Sequence, residues 1–187
     1  MFQKPFIKMS ISLGAFAILA LSFIGCPANK KEDEREIREK AVSYWNYIFQ
    51  GNADAAYNLL DRASRTSITY SDFARKVGYG PTQHRVIKAY WKAYYPQTEI
   101  KIDAVSISRK KALVSLRFRQ PDPTWLPEGV DREADSLGLK DFARGIFIIE
   151  KQTEYLSNAQ VPIVTIVETT ELIKEDNQWR VVFREDS

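Results

Sequence analysis

Cysteine and histidine are almost absent from this sequence, which has only Cys26 and His84 among its 187 residues. One cysteine allows no internal disulfide, so a secreted domain with this sequence must be held together by burial alone. The sequence also lacks paired histidines for zinc, a glycine-rich phosphate loop and a nucleophile elbow. We therefore expect no metal and no cofactor, and no motif identifies a reaction.

An excess of one charge is lacking as well. Lys and Arg number 27 against 24 Asp and Glu, and removing Lys4 and Lys8 with residues 1–25 leaves 25 against 24, a formal charge of +1. Positive and negative residues alternate along the chain, whereas a nucleic-acid-binding surface needs clustered Lys and Arg. We therefore expect no nucleic-acid partner.

The longest hydrophobic run covers residues 11–25, follows Lys8, and contains Ser12 and Ser22 as its only polar side chains. This layout is typical of a signal peptide. As a helix the run would be about 22 Å long, which is shorter than the hydrocarbon core of a bilayer, about 30 Å. The length therefore favours a signal peptide over a permanent membrane span.

The end of this run, residues 21–26, resembles the lipobox of bacterial lipoproteins. In those proteins the cysteine receives a diacylglyceryl group and becomes the new N-terminus, and several acyl chains together hold a soluble domain on a bilayer. Phe23 departs from the leucine that is usual three residues before the cysteine, and an ordinary cleaved leader or an uncleaved anchor is the alternative.

The lipobox resemblance implies that residues 1–25 are a cleaved signal peptide and that Cys26 is the lipid attachment site. It places the protein in the bacterial cell envelope, bound to a membrane through its N-terminal lipid. If the host has two membranes, the outer one is expected, because Pro27 is not the aspartate that retains lipoproteins in the inner membrane.

Residues 29–36 contain no apolar side chain and carry both signs of charge. Such a segment cannot pack against a core, so we expect residues 26–36 to form a flexible tether. The remaining residues, 37–187, are enough for a single domain that buries roughly 68–70% of its unfolded surface.

Apolar residues recur at intervals of three and four in the first half of the domain, which predicts helices. The pattern begins at Ile37 and indicates a second helix over residues 53–60, a third around Phe73 and a fourth before Pro96. Capping and stop signals set the boundaries. The predicted stops are Gly51, Gly78 and Pro96, and the predicted N-caps are Asn52, Ser71 and Thr82.

After Pro96 the period of the apolar residues changes to two, as in an antiparallel sheet with one covered face. Residues 100–107 are predicted to form a strand with a bulge at Ala104, and residues 108–110 to form a turn. The return strand is expected to bury one face, made of Ala112, Val114, Leu116 and Phe118.

The last third of the chain predicts a loop, a helix and a hairpin. Residues 121–136 contain three prolines and five acidic residues and predict a long loop with an exposed Trp125. Residues 139–156 predict a helix, although the β-branched stretch 146–149 also allows a strand. Residues 161–183 predict a terminal hairpin.

Residues 44–48, 51–60, 64–65 and 70–73, with the closing segment 172–181, resemble the nuclear transport factor 2-like superfamily, and more narrowly small bacterial lipoproteins of that fold. The resemblance implies an α+β fold in which N-terminal helices pack against a curved antiparallel β-sheet to form a cone. Residues 120–160 do not fit the minimal pattern and are expected to be an insertion.

The superfamily includes isomerases, dehydratases, carrier proteins and dimerisation modules, so the fold does not settle the function. Its cone implies a ligand pocket, and the alternative is that the same aromatic side chains form the core. The pocket residues that we expect are Trp45, Tyr57, Trp91, Phe118 and Trp179.

An isomerase-type site would need a carboxylate base and a tyrosine donor that face one apolar pocket. Tyr57, Tyr90, Tyr94 and Asp103 supply these residue types. A dehydratase of the superfamily would use a histidine, for which His84 is the candidate. The polar neighbours of His84 favour an exposed position instead.

Three functions follow from these observations. The leading expectation is a non-catalytic binding or scaffold module, which binds an envelope protein partner or a small apolar ligand on the concave face of the sheet. The second is an isomerase-type or dehydratase-type enzyme in the cone. The third is a structural homodimer formed through the sheet.

Overall fold

The computed structural model describes residues 27–77, 85–158 and 160–184. The predicted signal peptide, Cys26, Gly78, Thr82 and His84 lie outside the described residues. Within the described ranges the helices are α1 (Pro27–Phe49), α2 (Ala53–Asn58), α3 (Arg62–Ser67), α4 (Tyr70–Lys76), α5 (Arg85–Tyr94), a 3-10 helix (Tyr95–Gln97), α6 (Val130–Ser136) and α7 (Asp141–Ser157). The strands are β1 (Glu99–Ser108), β2 (Lys111–Pro121), β3 (Ile163–Glu175) and β4 (Gln178–Val181).

Helix α1 is longer than the sequence pattern predicts, because it begins at Pro27 and not at Ile37. The prediction of a flexible tether is therefore wrong for residues 27–36. Asp33 Oδ1 accepts hydrogen bonds from Lys174 Nζ at 2.5 Å and from Trp179 Nε1 at 3.1 Å. Polar contacts to the terminal hairpin thus hold a segment that has no apolar residues to bury.

Helices α2 and α3 both begin at side-chain caps. Asn52 caps α2 as predicted, since its Oδ1 accepts a hydrogen bond from Ala55 N at 3.1 Å. Helix α3 was not expected from the apolar spacing. Asp61 caps it by accepting a hydrogen bond from Ser64 N at 3.1 Å, and both residues are buried.

The predicted N-cap of the next helix, Ser71, is wrong. The N-cap is Thr69, two residues earlier, and helix α4 begins at Tyr70; Thr69 Oγ1 accepts a hydrogen bond from Asp72 N at 3.2 Å. Threonine and serine can both cap a helix, so the choice between them depends on where the preceding chain leaves its extended conformation.

The four strands form one antiparallel sheet in the order β1-β2-β3-β4. The predicted bulge is confirmed by a shift of register between Ile102 and Ala104. The predicted buried face of β2 is confirmed as well, because each of its four residues is at most 1% exposed. Helix α1 crosses this face and contacts all four strands.

Residues 121–136, which we predicted to be a loop, contain α6. Arg144 of α7 holds this short helix through Asp131 at 2.7 Å and through Asp135. Trp125, predicted to be exposed, is half-buried with its ring 5.4 Å from that of Tyr155. The prediction of a helix over 139–156 is confirmed by α7.

The structure therefore confirms the α+β class, with N-terminal helices packed against an antiparallel sheet. None of the helices within the described residues is both long enough and apolar enough to cross a bilayer.

Candidate functional site

The candidate site is the helix-facing side of the sheet, which we call the inner face. Side chains of a strand alternate between its two faces, and the strand register fixes which residues are neighbours. On β1 to β3 the inner face consists of Ile100, Ile102, Val105, Ile107, Ala112, Val114, Leu116, Phe118, Gln120, Val164, Ile166, Glu168, Thr170 and Leu172.

Trp45 of α1 lies at the centre of this face. Its indole Nε1 donates a hydrogen bond to Thr170 Oγ1 at 2.8 Å, and its ring centroid is 4.9 Å from that of Phe118. Phe49 packs edge-on against Phe118 at 5.5 Å. Two of the predicted pocket residues, Trp45 and Phe118, are therefore neighbours, and aromatic side chains of α1 fill the space beside them.

The other three predicted pocket residues lie in separate contacts. Trp179 is fully buried and donates its indole hydrogen bond to Asp33. The Tyr57 hydroxyl donates to Ile68 O at 3.1 Å. Trp91 stacks edge-on with Tyr90 at 5.4 Å on α5. The structure therefore does not bring all five residues to one wall.

Glu168 is an acidic side chain on the inner face that the sequence analysis missed. It lies opposite Leu116 in the register and two residues before Thr170, which is buried. Burial among these neighbours raises the pKa of the Glu168 carboxyl above its ordinary value. Glu168 is the one carboxyl among the inner-face residues of β1 to β3, and burial disfavours its ionised form.

Gln120 occupies the end of the same face on β2. Its side chain is 4% exposed, and its Oε1 has no hydrogen-bond partner among the described residues. An unpaired buried amide oxygen costs about 1–3 kcal/mol. The strand alternation that places Phe118 inward also places Gln120 inward, so the sequence contained a signal for this residue.

A shallow cleft opens beside this end of the sheet, with an empty volume of about 160 Å³ that includes open solvent. Its lining residues are Tyr90, Asp122, Trp125, Gln152, Leu156 and Val161. Gln152 Nε2 donates a hydrogen bond to Trp125 O at 2.7 Å and so closes one wall. The cleft is therefore an open depression and not an enclosed ligand pocket.

Tyr90 and Asp122 bring a hydroxyl and a carboxylate together in this cleft. Burial raises the pKa of Tyr90, and the negative charge of Asp122 raises it further. Asp122 Oδ1 already accepts hydrogen bonds from Thr124 N at 2.8 Å and Thr124 Oγ1 at 2.7 Å. The pair has the residue types of an isomerase site, with the carboxylate engaged by its own loop.

The catalytic candidates from the sequence do not converge. Asp103 lies on the outer face of the sheet, where it pairs with Arg117 at 3.0 Å. The Tyr94 hydroxyl donates a hydrogen bond to Pro121 O at 2.9 Å, so its proton is already used in a backbone contact. The described ranges contain no group of three His, Cys, Asp or Glu residues with the spacing of a metal site.

Two solved structures align with most of this chain. One is an NTF-2 like protein of unknown function from Shewanella oneidensis MR-1, with 13% identity and a TM-score of 0.42 over 80% of this chain and 94% of that chain. The other is a candidate dehydratase from the NTF2-like family of Streptomyces avermitilis, with 15% identity and a TM-score of 0.36 over 81% of this chain and 92% of that chain.

No protein-family model matches the chain. No curated protein matches its sequence at a significant level. Likenesses at the TM-scores given above assign neither a substrate nor a role to this chain.

Proposed function

We propose that this protein is a bacterial envelope lipoprotein, held on a membrane by a lipid on Cys26, whose domain is a non-catalytic binding or scaffold module. The observation that carries the proposal is the lipobox-like segment 21–26 directly before a helix that is part of the domain. The nuclear transport factor 2-like character of the domain is proposed from the sequence resemblance.

The position of α1 supports a short distance between the lipid and the domain. From Pro27 to Asp33 a helix rises by only about 9 Å. At Asp33 the helix is already bound to Lys174 and Trp179 of the terminal hairpin. A lipid on Cys26 would therefore hold the hairpin end of the domain close to the lipid headgroups.

The filled inner face supports a scaffold, or a module that binds a protein partner on its outer surface, over catalysis in a cavity. Phe118, Leu116 and Val114 are each at most 1% exposed under α1. The cleft at Tyr90 is open to solvent, whereas a ligand pocket buries most of its ligand's surface. An isomerase would need the hydroxyl and the carboxylate to face a substrate, whereas Asp122 is bound to Thr124.

The experiment is metabolic labelling with a fatty acid, on the full chain expressed in a bacterial host. Wild type and Ser22→Ala, a matched variant in the same segment that keeps the cysteine, are expected to be labelled and to sediment with membranes. Cys26→Ala is expected to lose the label completely. Equal labelling of Cys26→Ala, or an unlabelled wild type, would contradict the proposal.

A further inference from the structure

The first part of β3, residues 163–170, has an open edge. Strand β4 pairs only with residues 172–175 of β3. After β4, Val182 N donates one more hydrogen bond to Glu171 O at 2.9 Å. The chain then turns to α3, where Phe183 N donates to Ser64 Oγ at 2.9 Å. No described residue pairs with 163–170 on that side.

The backbone groups at this edge can be assigned from the neighbouring hydrogen bonds. Consecutive residues of a strand direct their N–H and C=O groups to opposite sides. Glu171 O faces Val182, and Lys174 N faces Lys110 O of the β1–β2 turn at 2.8 Å. The residues whose backbone groups face the open edge are therefore the odd-numbered ones, Ile163, Thr165, Val167 and Thr169.

The side chains of this stretch favour strand pairing. Every residue from 163 to 170 except Glu168 is β-branched, and Glu168 lies on the inner face. Ile163 and Val167 are 41% and 59% exposed on the outer face. A long apolar edge with unpaired backbone groups is a template for another strand.

The opposite edge of the sheet, strand β1, is protected against pairing with another strand, unlike residues 163–170 of β3. Strand β1 carries Glu99, Lys101 and Asp103 and a bulge at Ala104. Edge charges and bulges are the usual devices that prevent pairing between sheets. The chain blocks one edge of its sheet and leaves the other free of lysine, proline and bulges over residues 163–170.

We propose that the edge of residues 163–169 binds the same edge of a second copy, in antiparallel orientation, so that two four-stranded sheets become one continuous sheet. The edge is self-complementary about Ile166. In this register Ile163 faces the partner's Thr169, and Thr165 faces the partner's Val167. Each of these edge-facing residues exchanges both backbone hydrogen bonds, and Glu168 faces the partner's Val164, so no two like charges meet.

This register makes a specific prediction for cysteine cross-linking in the full chain, purified in detergent. Ile166 lies opposite its own copy as a pair without hydrogen bonds, with Cα atoms about 4.5 Å apart, a distance that a disulfide spans. Ile166→Cys is expected to give a covalent dimer under mild oxidation. Thr169→Cys is the matched control, because two such residues would lie about 20 Å apart along the strands. Wild type reports any bridge through Cys26.

A second pair of variants separates this edge from the outer face of the sheet. Val167→Pro removes an N–H that bonds nothing within the subunit, so the monomer is expected to keep its circular dichroism spectrum while the dimer is lost. Leu113→Lys places a charge on the outer face of β2, away from the edge, and is expected to leave dimerisation unchanged. Sedimentation in density-matched detergent measures the association.

Three results would overturn the proposal. One is a wild type that stays monomeric at every concentration tested. Another is cross-linking of Thr169→Cys as fast as that of Ile166→Cys. The third is a dimer that survives Val167→Pro and disappears with Leu113→Lys, which would indicate packing face to face.

Discussion

Trp45 joins the first helix to the sheet through both of its chemical properties. Its ring packs on Phe118, and its indole N–H reaches the buried hydroxyl of Thr170. Aromatic spacing in the sequence predicted that Trp45 faces inward. It did not predict the partner, because Thr170 lies 125 residues further along the chain.

We expect Trp45→Phe to destabilise the domain by about 1–3 kcal/mol, because it keeps an aromatic ring but leaves the Thr170 hydroxyl without its donor. Denaturant unfolding monitored by circular dichroism measures the change. Trp125→Phe is the matched control, since the Trp125 indole N–H has no hydrogen-bond partner among the described residues and its ring lies edge-on to that of Tyr155. An equal loss in both variants would contradict the role given to the hydrogen bond.

Glu168 makes a prediction about pH. Its folded-state pKa is raised by burial, so the folded protein binds its proton more tightly than the unfolded chain does. The penalty for ionising Glu168 is absent below the ordinary glutamate pKa of about 4.3 and appears as the pH rises through the folded pKa. Glu168→Gln is therefore expected to be more stable than wild type at neutral pH, with the gain vanishing in acid.

Unfolding midpoints measured across this pH range check the Glu168 prediction. Glu150→Gln, an exposed glutamate on α7, serves as the control and is expected to show no such pH-dependent gain. A Glu168→Gln variant that is less stable than wild type at neutral pH would show that the ionised carboxylate makes favourable contacts. The burial of Glu168 could not be predicted from the sequence, because one acidic residue in a run of Val, Ile and Thr gives no local sign of it.

At the scale of elements, the N-terminal extension of α1 is the largest departure from the sequence prediction. Composition alone predicts a solvated tether for residues 29–36. It cannot reveal that Asp33 binds Lys174 and Trp179, which lie more than 140 residues further along the chain. Helix α6 was not predicted either, because its start has no side-chain capping signal. It begins after Gly129, whose φ of 85° provides the turn, and no side chain caps it.

Asp33→Ala is expected to loosen the start of α1 and to cost about 1–2 kcal/mol, because it removes two hydrogen bonds to one charged group that is still partly exposed. Burial acts to raise the pKa of Asp33, but hydrogen bonds from Lys174 and Trp179 and the Lys174 charge lower it overall. The advantage of wild type over the variant is therefore present at neutral pH and is lost as the pH falls through the folded pKa.

Limited trypsin digestion measures the loosening directly, since residues 30–40 contain five Lys and Arg residues. Wild type is expected to resist cleavage there, and Asp33→Ala to be cut faster. Glu32→Ala is the control, because Glu32 is 73% exposed and its ion pair with Arg35, at 3.8 Å, lies on the surface and is expected to contribute little. Rapid cleavage of wild type within residues 30–36 would contradict this prediction and would indicate that the segment is a flexible tether.

The start of α4 gives a further prediction at this scale. Thr69→Ala removes the cap on Asp72 N and is expected to cost about 1 kcal/mol. Ser71→Ala, at the cap position that the sequence suggested, is expected to change stability by less than about 0.5 kcal/mol. Thermal unfolding measures the stability of both variants. A larger loss of stability for Ser71→Ala than for Thr69→Ala would indicate that Ser71 is the N-cap.

At the scale of the whole molecule, the α+β class, the placement of several helices before the first strand and the terminal hairpin could be predicted from the sequence. Periods of 3.6 and 2 are local signals that survive in a single sequence. The predicted pocket depended instead on long-range contacts. Trp179, Tyr57 and Trp91 are aromatic side chains with a hydrogen-bond donor, as Trp45 is, but in the folded protein each contacts a different neighbour.

The membrane anchor is the central claim about the whole molecule, and intact-mass measurement of the protein extracted from native membranes tests it most directly. We expect a mass that lacks residues 1–25 and includes acyl chains on Cys26. Two results would contradict the lipid anchor. One is a protein that retains residues 1–25, and the other is a cleaved protein whose mass includes no acyl chain on Cys26.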